Sequence, residues 1–171
     1  FTVAEAARAT LPWLAQQGIH AVVGTTGFLD DDIAAFTSAF TRSNCLIAAN
    51  FAIGAVLMMK FAEIASPHFE TAEIIEFHHN AKADAPSGTA MATARRMAAA
   101  SESWATDPTK HEVVTGARGG TGPGGIHVHA VRMVGMTASQ EVILGTAGQT
   151  LVIRHDSNDR VSFMPGVLLA C

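Results

Sequence analysis

Lysine is nearly missing from this sequence, with three residues in 171 beside eight scattered arginines. The absence of any basic cluster argues against a nucleic-acid partner or an anionic membrane surface. Charged residues of both signs make up only 15%, against 49% hydrophobic residues and a net charge of −4, which excludes an intrinsically disordered chain. Long apolar runs are missing too. The longest, Phe51 to Met59, stops at Lys60, well short of the ~20 residues that a membrane helix needs. Cysteine is scarce, and Cys45 with Cys171 cannot make a disulfide framework. Two free thiols and no signal peptide or targeting tract predict a cytoplasmic protein. The length suits one domain or two small ones with a real core. The chain begins at Phe1 and ends inside an apolar run, Pro165 to Cys171, and reads as a piece cut at both ends.

The order of segments predicts an α/β start. Thr2-Val3-Ala4-Glu5 has the form of a capping box and opens a helix over residues 3–17 that ends at Gly18. A short β-branched run, Ile19 to Val23, leads into Gly24-Thr25-Thr26-Gly27. Asp30, Asp31 and Asp32 then place negative charge on the first turn of a second helix, near residues 30–41. A second apolar strand, Cys45 to Ala49, ends at Asn50. Helix, strand, helix, strand with short connections is the rhythm of a parallel sheet. After residue 50 the pattern changes to α+β. Ile53 to Ile64 is apolar nearly all round, which predicts a helix buried on more than one side. A strand is expected over 71–77, an alanine-rich helix over 89–100, and strands over 128–135, 141–145 and 150–155, with turns near Ala138 and Ala147-Gly148. A last helix starts at Phe163, and the glycine-rich stretch Gly116 to Gly125 predicts a mobile loop.

The residues able to do chemistry crowd into one string at the end of a strand: His78-His79-Asn80-Ala81-Lys82-Ala83-Asp84-Ala85-Pro86-Ser87-Gly88-Thr89. Ligands of open α/β sheets sit at the carboxyl ends of strands. Ser87 can cap the following helix, whose first N–H groups, at Gly88 and Thr89, suit a carboxylate. Lys82 and the two histidines add proton donors. If the strand runs through residue 79, its pleat sends His78 and His79 to opposite faces. Taken alone, Ser-Gly-Thr is an ordinary helix cap. Its company with a scarce lysine and a histidine pair is what points to a site.

Two other groups are weaker. Gly24, Thr25 and Thr26 end one buried strand, and Ala48, Ala49, Asn50 and Phe51 end the next, so small residues could line a shared cleft for a flat ligand. His127 and His129 face one side of a strand at a spacing compatible with metal ligands. No carboxylate or cysteine falls at ligand spacing, so no metal is expected.

Taken together, Val22 to Phe28, Ala48 to Gly54 and the string Glu76-Phe77-His78-His79-x-x-Lys82-x-Asp84-Ala85-Pro86-Ser87-Gly88-Thr89-Ala90 closely resemble the dihydrodipicolinate reductase family. The run from Arg154 to Gly166 resembles it as well. The resemblance implies the C-terminal half of a Rossmann-type parallel sheet domain (residues 1–50), followed by an α+β substrate-binding and tetramerisation domain with a mixed sheet (residues 51–171). It implies reduction of 4-hydroxy-tetrahydrodipicolinate (dihydrodipicolinate) to tetrahydrodipicolinate with NADH or NADPH, on the diaminopimelate route to lysine, by a homotetramer. Positions matching Gly24, Thr25, Thr26, Ala48, Ala49, Asn50 and Phe51 contact the nicotinamide end of the cofactor. The position of His78 is the acid/base histidine and that of Lys82 the proton donor. Those of His79, Gly88 and Thr89 hold the substrate carboxylates, with Ser87 at the same turn. The chain departs from the family string at Asn80-Ala81, where a basic or histidine residue commonly precedes the lysine, so one carboxylate contact is expected to be lost.

The glycine-rich fingerprint that binds a pyrophosphate is absent from these residues, as is the residue that chooses between the two cofactors. The chain by itself is therefore expected to bind dinucleotide very weakly, to be inactive, and to be prone to aggregate through an exposed sheet edge. Two rival readings are another Rossmann-type reductase or semialdehyde dehydrogenase, and a non-catalytic metal- or ligand-binding domain built on His78, His79, His127 and His129.

Overall fold

The computed structural model describes residues 3–171. By compactness they fall into two units, Phe1–Phe51 with Phe163–Cys171, and Ala52–Ser162. The closing segment, which the sequence reading places with the second domain, thus packs with the first unit. Among the described residues no helix is long and apolar enough to cross a membrane.

The first unit opens with α1 (Ala4–Gln17), which ends at Gly18 in the left-handed conformation, φ 68°. The expected threonine cap at residue 2 lies outside the described residues. Strands β1 (Ala21–Val23) and β2 (Cys45–Ile47) pair in parallel, with α2 (Asp30–Ala39) between them in the chain. Leu11, Ala21, Val23 and Phe36 make the core of this unit, with the Phe28 ring edge-on to Phe36 at 5.4 Å. Of the three aspartates expected to serve the start of α2, Asp32 does so, accepting from the Leu29 N–H at 2.8 Å. The last helix, α5 (Met164–Ala170), meets Phe51 at Gly166. A Cβ there would lie 1.9 Å from the Phe51 carbonyl oxygen, so only glycine allows the approach.

The second unit is a five-stranded mixed sheet in the order β4-β5-β3-β6-β7. Its strands are β3 (Thr71–His78), β4 (Gly120–Thr121), β5 (His127–Arg132), β6 (Ala138–Thr146) and β7 (Gln149–Ser157). β3 and β5 are parallel, and the other pairs are antiparallel. A parallel pair needs a crossover, and α4 (Gly88–Ala100) provides it, so α4 begins beyond the carboxyl end of β3. Ala90, Ala94 and Met97 form its buried stripe, and the two alanines let the helix come close to Ile74, Val128, Val142 and Leu144. β6 and β7 form a hairpin whose turn at Ala147-Gly148 is as expected, with Gly148 at φ 79°. The turn expected near Ala138 is not there. Ala138 pairs with both His78 and Ser157, and the turn occupies 133–137, because Gly135 rather than Ala138 supplies the positive φ.

Two further expectations change. α3 (Ile53–Ala65) buries Ala55, Met58, Met59 and Ala62 but leaves Ile53, Leu57, Phe61 and Ile64 exposed. One face is covered rather than several, since α4 and the sheet approach from one side only. The segment expected to be a mobile loop is tied down. Arg118 donates to Glu73 at 2.6 Å and to Asp107 at 3.1 Å, while Glu112 accepts from the Gly116 and Arg118 N–H groups.

Ile74 is fully buried between sheet and helix. Ile74→Ala should lower the unfolding free energy by about 2–5 kcal/mol in urea titrations. A loss under ~1 kcal/mol would mean that this core does not carry the sheet.

Candidate active site at the carboxyl end of the third strand

The site is built on a buried carboxylate. Glu76 and His78 are two apart on β3, so the pleat aims both at the helix-covered face. Glu76 is 0% exposed, and its Oε2 lies 2.5 Å from Nδ1 of His78. Arg132, the register partner of His78 on β5, answers with a fork: Nη1 to Oε2 at 2.8 Å and Nη2 to Oε1 at 2.7 Å. The Ser87 N–H completes the set on Oε1 at 3.1 Å. Burial pushes the Glu76 pKa up, but the hydrogen bonds from His78 and Arg132 outweigh it and hold the group at about 2. An ionised Glu76 can only accept hydrogen bonds.

The same fork orders the loop beyond β3. Arg132 Nη2 also donates to the Asp84 carbonyl at 2.7 Å. Lys82 reaches the Asp84 carboxylate at 2.6 Å, which lowers the Asp84 pKa, and the Lys82 N–H turns back to the His79 carbonyl. The strand ends at His78, so His79 starts the loop instead of occupying the opposite face. Ser87 caps α4 as expected, its Oγ accepting from the Ala90 N–H at 3.2 Å. Behind the cap, Thr93 donates to the Thr89 carbonyl and accepts from Gln140 at 2.8 Å. His78, His79, Lys82, Ser87, Gly88 and Thr89 thus belong to one turn of chain organised around Glu76. Its chemistry is that of an oriented imidazole and an ammonium beside the N-terminus of a helix.

His127 and His129 are elsewhere. They take the register of Glu73 and Ile75, the opposite parity from Glu76, and so face the other side of the sheet. His129 Nε2 meets Glu73 at 2.7 Å, and His127 lies against Asp107 and Arg118. The four histidines do not form one site. Among the described residues no group of three or more His, Cys, Asp or Glu side chains could hold a metal.

In the first unit, the parallel register sets the ends of β1 and β2 side by side. The Ala48 N–H extends the ladder to the Val23 carbonyl at 3.1 Å, bringing Gly24–Gly27 next to Ala48–Phe51. Arg8 fixes the glycine loop by donating to the Gly27 carbonyl at 3.1 Å while forking onto Asp32. Small residues, Gly24, Gly27, Ala48 and Ala49, stand at both strand ends, as the close approach of a flat ring to the backbone would require.

Sequence reasoning places Glu76 and Asp84 in the string but gives neither a role, and it passes over Arg132. The Glu-x-His spacing on a predicted strand could have paired Glu76 with His78. Nothing in the sequence links Arg132 to them.

A two-stranded parallel α/β unit followed by a mixed sheet with its polar cluster at a strand end is a Rossmann-like domain part joined to an α+β domain. The family models "Dihydrodipicolinate reductase, N-terminus" and "Dihydrodipicolinate reductase, C-terminus" match residues 1–51 and 54–171. The chain belongs to the dihydrodipicolinate reductase family. It is 54% identical to the 4-hydroxy-tetrahydrodipicolinate reductase of Mycolicibacterium vanbaalenii, over 94% of this chain and 66% of that protein. It is also 54% identical to that of Thermobifida fusca, over 99% of this chain and 71% of that protein. A solved dihydrodipicolinate reductase from Paenisporosarcina sp. TG-14, with dipicolinate bound, superposes with a TM-score of 0.79 at 41% identity, covering 99% of this chain and 64% of that one. The chain thus spans about two thirds of the length of the relatives it matches.

The depressed carboxyl of Glu76 has a consequence for acid stability. Its stabilisation is fully present above the ordinary value of 4.5 and is lost as the pH falls through about 2. Glu76→Gln should give a shallower loss of stability over that window than the unmutated protein, followed by circular dichroism, and equal slopes would contradict it. Arg132→Ala, which strands the buried carboxylate, should cost about 3–5 kcal/mol at neutral pH.

Proposed function

We propose that the protein reduces 4-hydroxy-tetrahydrodipicolinate (dihydrodipicolinate) to tetrahydrodipicolinate with NADH or NADPH, in the diaminopimelate route of lysine biosynthesis. The observation that carries the reading is the convergence of His78, Lys82 and the Ser87-capped helix on one strand end, in a chain of this family. Dipicolinate bound to the Paenisporosarcina relative supports a small cyclic dicarboxylate as the ligand class.

Bound NADH or NADPH supplies the hydride. Gly24, Thr25, Thr26, Ala48, Ala49, Asn50 and Phe51, at the ends of the parallel strands, would hold the nicotinamide end. His79, Ser87, Gly88 and Thr89 hold the substrate carboxylates, helped by the positive end of α4. Lys82 leaves Asp84 to serve as counter-charge and proton donor, an exchange that costs little because Asp84 is largely exposed. His78 moves a proton through Nε2, its Nδ1 being committed to Glu76. Hydride plus proton balance a two-electron reduction, with water leaving when the hydroxylated form is the substrate. Asn80-Ala81 offers no cationic contact to a substrate carboxylate.

Residues 1–50 are the cofactor-side part of the protein, and the mixed-sheet unit binds substrate and assembles a homotetramer. The sheet face away from α3 and α4 supports that assembly: Val152 is 52% exposed there, beside the Arg154 guanidinium stacked on Phe77 at 5.1 Å. Free cysteines at 45 and 171 support a cytoplasmic location.

The test uses the full-length protein with substrate made fresh from pyruvate and aspartate semialdehyde, following nicotinamide oxidation by absorbance. His78→Ala and Lys82→Ala should each lose about 10²–10⁴-fold in kcat with dinucleotide binding intact. An active protein indifferent to both changes would overturn the assigned roles.

A further inference from the structure

Beyond the residues that meet substrate, the geometry points to Glu76 as a positioning residue that, braced by Arg132, fixes His78 as its Nδ1–H tautomer and thereby makes Nε2 the atom through which His78 works. The inference rests on the reading of His78 as the acid/base group.

Imidazole can place its single neutral-state proton on either nitrogen, and the neighbour of one nitrogen decides the other. Here the neighbour is a carboxylate that can only accept. Its two oxygens receive four donors: both guanidinium arms of Arg132, the Ser87 N–H and His78 Nδ1. Three of these cannot reverse, because a backbone amide and a guanidinium have no acceptor to offer. Only His78 could change its role, and an ionised Glu76 gives it no proton to accept. Depression of the Glu76 pKa to about 2 keeps that condition through the range in which an enzyme operates.

Arg132 is what makes the arrangement tolerable. A lone carboxylate at 0% exposure would take up a proton or expel the histidine, whereas the forked pair leaves His78 bonded to a neutralised partner. The remaining charged groups of the turn are accounted for. Lys82 is paired with Asp84, and the Asp84 carbonyl is held by Arg132 itself. On the other side, the cross-strand neighbours of Glu76 are Ala130 and Gln140, neither of which carries charge. One buried carboxylate therefore sets the ring orientation of His78 and, through Ser87, the seat of the helix that caps the same turn.

Glu76→Gln puts the idea at risk. The amide carbonyl takes the Oε1 place, where the two fixed donors Arg132 Nη2 and Ser87 N–H converge, leaving an NH₂ group against His78 Nδ1 and Arg132 Nη1. His78 can meet a donor only by becoming the Nε2–H tautomer. In the full-length protein labelled with ¹⁵N-histidine, two-bond ¹H–¹⁵N correlation spectra read the tautomer directly, with the His78 signals assigned by their loss in His78→Gln. The unmutated protein should show Nδ1 protonated, and Glu76→Gln should show the proton moved to Nε2. kcat should fall by about 10²-fold or more in Glu76→Gln with KM for the dinucleotide unchanged. An Nε2–H tautomer in the unmutated protein overturns the proposal, and that measurement stands even if Glu76→Gln fails to fold. A Glu76→Gln protein that keeps full turnover overturns it as well. Full turnover in His78→Gln, with the Nδ1–H tautomer seen in the unmutated protein, instead overturns the reading of His78 on which the proposal rests.

Discussion

A carboxylate withdrawn from water costs several kcal/mol unless its lone pairs are answered, and Glu76 is withdrawn completely. Its four donors come from three parts of the chain: β3 itself, β5, and the first residue before α4. The site depends on this constraint. The parallel pairing of β3 with β5 must hold its register for the Arg132 fork to reach. The loop over residues 79–87 must close for the Ser87 N–H to point back. The polar cluster is thus a specification of geometry as much as a piece of chemistry: loss of any donor leaves a buried lone pair unanswered, and loss of Arg132 leaves the charge unbalanced as well.

The two faces of the mixed sheet show how a period of two separates tasks. On the helix side, Ile74 and Glu76 follow one another along β3, so the apolar core passes directly into the polar cluster without a break in the strand. On the far side, Glu73 binds Arg118 and His129, holding the glycine-rich segment against the sheet. The histidine pairs at 78–79 and at 127 and 129 therefore serve different surfaces. A metal site joining them would require strand parity to be broken.

In the first unit the same economy is visible in fewer residues. Three-residue strands pair in parallel, and their small-residue ends adjoin because the ladder continues to Ala48. Arg8 holds the glycine loop by its backbone and Asp32 by its side chain. The Asp32 carboxyl lies near 2, chiefly through its hydrogen bond with Arg8. Aspartates that read in sequence as helix-dipole charges divide their work, with Asp32 both capping α2 and receiving the α1 guanidinium.

Much was determined by the sequence alone. Helix ends at Gly18 and Ser87, the strand pattern around Ile74, the hairpin turn at Gly148 and the family string from Glu76 to Ala90 are all local signals, set by backbone preference and side-chain periodicity. What the tertiary structure decided is what local chemistry cannot encode. Pairing of Arg132 with His78 follows from a crossover of more than 50 intervening residues, whose length fixes no register by itself. The burial of Glu76, the separation of His127 and His129 from the site, and the single covered face of α3 likewise depend on which elements meet. Periodicity states that a face is apolar or that two residues share it. Only packing states what stands opposite, and for a buried charge that is the difference between a fault and a site.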